Sequence, residues 1–166
     1  MIRHKLSGVG AAMITPFTAD GRIDYEALAS TVDYVIEGGA DYIVALGTTA
    51  ETPTLYMPER AVIAMFISNH IAGRVPLVIG VGGNSTSEVL DQLREFDLRR
   101  ADAILSVTPY YNKPSQEGLY QHFRTVSEHS PVPVILYNIP GRAGVNMSDE
   151  TTLRIARDFG NVIGVK

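Results

Sequence analysis

Short apolar runs alternate with longer amphipathic stretches along the chain. The runs sit at Gly10–Ile14, Tyr42–Leu46, Leu77–Val81, Ala103–Val107, Val134–Tyr137 and Val162–Val165. Their β-branched content and turn-rich flanks predict strands buried on both faces. Between them, apolar positions recur at helical spacing and predict five helices. The first follows Asp24, carries Leu28, Thr31, Val32 and Val35, and stops at Gly38-Gly39. The second opens at Pro58, a good first-turn proline, and runs to about Ala72. The third begins Ser85-Thr86-Ser87-Glu88, a capping-box pattern in which the serine and glutamate each satisfy the other's backbone donor. The fourth starts near Ser115 with Leu119, Phe123 and Val126, and the fifth at Ser148 with Leu153, Ile155 and Ala156.

Strands alternating with single helices imply parallel pairing and right-handed crossovers, and the spacing of about 30 residues is that of a βα unit. The fold class is therefore α/β. An open doubly wound sheet and the front part of a (β/α)8 barrel both fit, since a complete barrel needs about 250 residues. The chain has 166 residues and closes on a hydrophobic strand, which favours part of a barrel, about its first six strands. No composition shift divides the chain, so residues 1–166 are expected to belong to a single domain.

Composition narrows the function classes. Lys plus Arg is 14 and Asp plus Glu is 18, a net charge of −4 that argues against a broad nucleic-acid or anionic-membrane surface. Cysteine is absent, which removes disulfides, thiolate nucleophiles and cysteine-bound metals and suits a cytoplasmic protein. The opening MIRHKLSGVGAAMITPF reads as a first strand, not a signal peptide, because Pro16 and Phe17 fall where small residues would be needed for cleavage. No apolar run reaches the roughly 18 residues of a membrane span.

Candidate chemistry gathers where strands end, and in a parallel α/β fold the loops after the strands form the active face. Lys166 closes the last run. Taken alone, a strand-end lysine is a solvated rim charge. An amine held among apolar neighbours and hydroxyls has a depressed pKa and suits Schiff-base chemistry. Gly47-Thr48-Thr49-Ala50-Glu51-Thr52 follows the second strand, where hydroxyls and exposed amides can hold a carboxylate. Gly80-Val81-Gly82-Gly83-Asn84 resembles a dinucleotide loop, but Ser85 stands where the third glycine belongs, so a tight turn is expected. Thr108-Pro109-Tyr110-Tyr111-Asn112-Lys113-Pro114 places paired tyrosines in a loop, where they should fill a pocket or an interface. Tyr137 ends the fifth strand and could shuttle protons, and Arg142 could clamp a carboxylate. His4, His70, His122 and His129 show no metal spacing and are expected in surface or capping roles. Glu51 is expected to brace its loop.

Five segments, in order, carry a resemblance: GAAMITPF, GTTAET, VTPYYNKPSQEGLYQHF, YNIPGRAGVN and the terminal GVK. On these the chain resembles the dihydrodipicolinate synthase / N-acetylneuraminate lyase family of class I aldolases. The tyrosine pair and Arg142 resemble the synthase branch more than the sialate lyases. The resemblance implies a (β/α)8 barrel with a small C-terminal helical region, and pyruvate bound as an imine on Lys166. It implies that Thr48 and Thr49 hold the keto-acid carboxylate and relay protons. Tyr137 would be the proton donor and acceptor, and Tyr111 would extend the relay from a neighbouring subunit. Arg142 would hold the carboxylate of aspartate semialdehyde, the product entering lysine and diaminopimelate synthesis. No cofactor is required, and a homotetramer built from two dimers is implied.

Some relatives bind lysine at the dimer face. Asn84, Glu88 and Tyr110 resemble parts of that effector site, whereas Met57 and Arg60 stand where regulated relatives often carry histidine, which argues against inhibition. Ala50 replaces the family's usual glycine, tolerable if the backbone there is not left-handed. Other readings are a related pyruvate aldolase, acting on N-acetylneuraminate, keto-deoxy sugar acids or hydroxy-oxoglutarate, and a non-catalytic keto-acid-binding subunit.

Overall fold

The computed structural model describes residues 5–166; His4 and the first residues of the opening segment lie outside the described part. The chain divides into two compact units. One comprises the residues up to Gly80 together with Arg99–Asp102, and the other comprises Val81–Leu98 and Ala103–Lys166.

The first unit holds β1 (Gly10–Ala12), β2 (Tyr42–Ala45) and β3 (Leu77–Gly80), parallel and in sequence order. Register is fixed by Ala11 against Ile43 and by Val44 against Val78. Helix α1 (Tyr25–Glu37) follows β1. Its start is set by Asp24, whose carboxylate accepts from the Ala27 N–H at 2.9 Å. Leu28 and Val32, one turn apart, are fully buried, each worth about 1.5–3 kcal/mol of transfer free energy. Helix α2 (Met57–Ile71) follows β2 and buries Ile63, Ile67 and Ile71, again at helical spacing. Asp102 ties off β3, accepting from the Leu77 N–H at 3.0 Å and from Lys5 Nζ at 3.2 Å.

The second unit repeats the pattern with β4 (Ala103–Val107), β5 (Val134–Tyr137) and β6 (Val162–Val165), again parallel and in sequence order. Helices α3 (Thr86–Glu95) and α4 (Gln116–His129) flank β4, a single turn α5 (Pro140–Ala143) follows β5, and α6 (Asp149–Asp158) precedes β6. Ser115 and Ser148 cap α4 and α6 by accepting from the Gly118 and Thr151 N–H groups. Leu119, Phe123 and Val126 form the fully buried stripe of α4.

Several expectations are corrected. β1 ends at Ala12, and β6 is not buried on both faces: Gly164 and Val165 are exposed. Among the described residues β6 pairs with β5 alone, and burying both faces of a strand requires covering elements on each side. At α3 only half of the expected capping box forms, the Glu88 N–H lying 3.5 Å from Ser85 Oγ. The reciprocal bond belongs instead to α2, where the Glu59 carboxylate accepts from the Tyr56 N–H at 2.8 Å.

The histidines divide. His129 sits at the end of α4, its Nδ1 2.8 Å from the Thr125 carbonyl, and His70 pairs with Asp33 at 2.9 Å. His122 is not a surface residue: it is 4% exposed, packs edge-on against Phe123, and has Nδ1 2.8 Å from Thr86 Oγ1. Burial pushes its pKa down to about 4. It occupies the apolar face of α4 because it lies one turn from Leu119 and Val126.

Candidate active site

Thr48 and Thr49 lie in the first unit, on a turn that a strained residue aims. Leu46 is buried yet left-handed, with φ 54°. For a bulky side chain that is a true outlier, and such strain persists only where the surroundings enforce it. Gly80 on β3 makes it feasible. A Cβ there would lie 1.9 Å from the Leu46 carbonyl oxygen. Beyond Leu46 the chain tightens into a 3-10 turn, Thr48–Ala50, closed by Ala50 N–H to Gly47 O at 3.1 Å. Thr15 Oγ1 donates to the Ala50 carbonyl at 2.8 Å and anchors the turn to the segment after β1. Both Thr48 and Thr49 are exposed. The left-handed position of the turn is Glu51, φ 53°, not Ala50. Alanine at position 50 therefore carries no positive-φ penalty. Glu51 braces the loop through its backbone, its carbonyl accepting from the Thr54 N–H and hydroxyl, both at 2.8 Å.

The remaining candidates lie in the second unit. Tyr137 and Lys166 end adjacent strands. Leu136 pairs with Val165, so the two following side chains are neighbours. The Lys166 N–H donates to Leu136 O at 2.8 Å and the Asn138 N–H donates to Lys166 O at 3.1 Å, locking that register past the strand ends. Lys166 Nζ then sits 4.9 Å from the centroid of the Tyr137 ring. An ammonium at that distance is attracted by the ring face, a contact that fixes the direction of the amine. Tyr137 is buried, whereas Lys166 is exposed, contrary to the expectation of an amine enclosed by apolar neighbours. Lys166 follows β6, which among the described residues pairs with β5 alone.

Arg142 is exposed on α5, the single turn that follows Tyr137. Gly144, φ 70°, ends that turn in the left-handed conformation that glycine adopts readily. Tyr110 is half-buried. Tyr111 is 87% exposed, so of the tyrosine pair only the first is partly packed within the chain. Asn84 is half-buried and Glu88 exposed, on the loop before α3 and in its first turn.

Sequence reasoning missed the amides that brace these loops. Asn138 donates to Asn146 Oδ1 at 2.8 Å and accepts from the Met147 N–H at 3.0 Å. Gln116 donates to the Asn146 carbonyl and accepts from the Ser148 N–H. The asparagines and glutamine standing near Gly and Pro after β4 and β5 were the available signal, since such amides satisfy loop backbones. Among the described residues no group of three His, Asp or Glu could hold a metal ion, and no helix is long and apolar enough to cross a membrane.

Comparison with known proteins places this arrangement. Residues 5–166 match the model of the dihydrodipicolinate synthetase family. The chain is 55% identical to 4-hydroxy-tetrahydrodipicolinate synthase of Parabacteroides distasonis over 97% of this chain and 54% of the relative. It is 51% identical to the enzyme of that name from Porphyromonas gingivalis, over 100% of this chain and 56% of the relative. A crystal structure of dihydrodipicolinate synthase from Acinetobacter baumannii complexed with pyruvate superimposes with a TM-score of 0.92 at 43% identity, covering 96% of this chain and 54% of that one. The chain thus spans about half the length of the relatives it matches. Its strands correspond to about the first six of a (β/α)8 barrel, which selects the barrel over the open doubly wound sheet. With Lys166 beside Tyr137 at the strand ends, paired tyrosines after β4 and the family's pattern matched from Lys5 to Lys166, the chain belongs to the dihydrodipicolinate synthetase family.

Proposed function

We propose that the protein is a class I, Schiff-base lyase that condenses pyruvate with aspartate 4-semialdehyde to give 4-hydroxy-tetrahydrodipicolinate in lysine and diaminopimelate synthesis. The observation that carries this reading is the Lys166 amine 4.9 Å from the Tyr137 ring at the ends of two adjacent parallel strands. The naming of the relatives and the pyruvate held by the Acinetobacter baumannii enzyme support the choice of substrate.

In this reading the Lys166 amine attacks the pyruvate ketone carbon, and loss of water leaves an imine. The positive imine nitrogen draws electrons, so a methyl proton leaves and an enamine forms. The enamine carbon attacks the semialdehyde carbonyl, making the new carbon–carbon bond and an alkoxide that takes up a proton. The amine of the semialdehyde then adds to the imine carbon, closes the ring and displaces Lys166. One water is lost overall. Each proton step needs a positioned acid or base, a role assigned to Tyr137, with Thr48 and Tyr111 as the relay. Thr48 and Thr49 hold the pyruvate carboxylate, and Arg142 holds that of the semialdehyde.

Residues 1–166 form the N-terminal part of one barrel domain in this proposal, with no metal or organic cofactor. The protein works in the cytoplasm as a homotetramer built from two dimers, Tyr111 crossing to the neighbouring subunit. Its 87% exposure supports that last role, since a loop tyrosine so bare within one chain is suited to a partner. Asn84, Glu88 and Tyr110 form a candidate lysine-effector site.

The test is product formation by the full-length protein, with pyruvate held constant and aspartate semialdehyde compared with sugar-acid and N-acylmannosamine acceptors. Turnover with the semialdehyde at the highest kcat/KM is expected. Preference for a sugar acceptor would move the assignment to a neighbouring aldolase, and no turnover with any acceptor would favour a keto-acid-binding subunit.

A further inference from the structure

The loop after β4 carries two left-handed residues that are not glycine, Tyr111 at φ 71° and Lys113 at φ 51°. Between them stands Asn112. The Asn112 N–H donates to the Tyr110 carbonyl at 2.8 Å, closing a three-residue turn with Tyr111 at its tip. A tyrosine in that conformation is disfavoured, and local bonding alone gives little reason for it. What surrounds the turn is a set of clips. Asn112 Nδ2 donates to the Asn84 carbonyl at 2.7 Å, and Asn84 Nδ2 donates to Asn112 Oδ1 at 3.3 Å. The Tyr111 N–H donates to the Ala143 carbonyl at 3.2 Å, on the single-turn helix that also bears Arg142. The turn is thus pinned on one side to the loop after β3 and on the other to the turn after β5.

We infer that Asn112 is a positioning residue: its paired amide bonds with Asn84 hold Tyr111 in the strained turn and so set where the phenol points. The Asn112 side chain is the member of this set that one substitution removes without touching the core, since it is exposed. Its two bonds to Asn84 act on the residue that follows the tip, so their loss lets φ of Tyr111 relax toward negative values. The phenol then leaves the position in which it can pass a proton. The inference rests on the proposed relay role of Tyr111.

The experiment is a double-mutant cycle in the full-length protein, with Asn112→Ala, Tyr111→Phe and the pair together. Each is read by kcat, pyruvate KM and melting temperature. If Asn112 acts through Tyr111, Asn112→Ala lowers kcat on the order of tenfold with pyruvate KM and melting temperature unchanged, and adds no further loss to Tyr111→Phe. Asn112→Asp, which keeps the shape but lacks the amide donor, shows the same loss. Losses that multiply in the double variant overturn the inference, as does a normal kcat for Asn112→Ala, or a lower melting temperature with a raised pyruvate KM. A normal kcat for Tyr111→Phe removes the relay reading itself, and the inference with it. A slow Tyr111→Phe beside an unaffected Asn112→Ala removes the positioning role alone.

Discussion

The loop that leaves β2 closes largely on itself, with Thr15 Oγ1 as an outside tie, whereas the loop that leaves β4 is clipped to neighbouring loops through Asn112 and the Tyr111 N–H. After β2, two short 3-10 turns close on themselves, Ala50 N–H to Gly47 O at 3.1 Å and Leu55 N–H to Thr52 O at 3.1 Å, with buried Leu55 as an anchor. After β4, the turn at Tyr111 is tied to other loops by the paired Asn112 and Asn84 amides and by the Tyr111 N–H on the Ala143 carbonyl. Both loops contain strained left-handed residues, Leu46 and Glu51 in one and Tyr111 and Lys113 in the other. The first loop should be most sensitive to intrusion on its backbone, where a Cβ on Gly80 would meet the Leu46 carbonyl. The second should be most sensitive to loss of the Asn112 amide, which is exposed and so is expected to matter little for global stability.

Substitutions separate the two. The largest effect is expected from Gly80→Ala, because the new Cβ would meet the Leu46 carbonyl at 1.9 Å and one backbone must move. A loss of about 3 kcal/mol in urea unfolding is expected, as for an overpacked core site. A change under about 0.5 kcal/mol would mean that Leu46 relaxes freely and that the strain does not aim the threonine turn.

In the second unit the sensitive point is His122. Its folded pKa of about 4 lies below the unfolded value near 6.5. Between these values the unfolded chain binds a proton that the folded one does not, so stability is full above about pH 6.5 and falls as pH drops toward 4. The arithmetic gives a loss of about 3 kcal/mol across that window. Urea unfolding at a series of pH values should show a slope that His122→Gln reduces. An unchanged slope in that variant would assign the acid sensitivity to other groups.

Thr15→Val should cost about 1 kcal/mol, since it leaves the carbonyl of buried Ala50 without the hydroxyl at 2.8 Å. The smallest change is expected for Asn112→Ala, within about 0.5 kcal/mol in the same unfolding assay, although its effect on turnover is large. A stability loss above that of Thr15→Val would erase the distinction between the two loops.

What could be read in advance follows the same division. Repeating patterns were legible: β4, β5 and β6 have the residue limits that apolar runs suggest, and Asp24, Ser115 and Ser148 cap the helices that follow them. Burial of His122 was legible in principle, since it shares a helical face with Leu119 and Val126. The single turn Pro140–Ala143 was not, because a Pro-Gly pair ordinarily marks a turn and four residues carry no periodicity. Left-handed Leu46 and Tyr111 were illegible as well. Nothing in a leucine or tyrosine announces a positive φ; its cause lies in Gly80 and in the Asn84–Asn112 clip, distant in sequence. Among the candidate residues, Tyr137 and Lys166 meet because neighbouring parallel strands end in register. The exposure of Lys166 was not anticipated because a run of apolar residues predicts a strand but says nothing of what flanks it.

The central claim is that the Lys166 amine forms an imine with a keto acid. Treating the full-length protein with pyruvate and borohydride, then mapping the adduct on the intact and digested chain, tests it directly. A stable pyruvate-derived mass confined to Lys166, and lost in Lys166→Ala, is predicted. Trapping that persists in Lys166→Ala, or an adduct mapped to another lysine, would contradict the account.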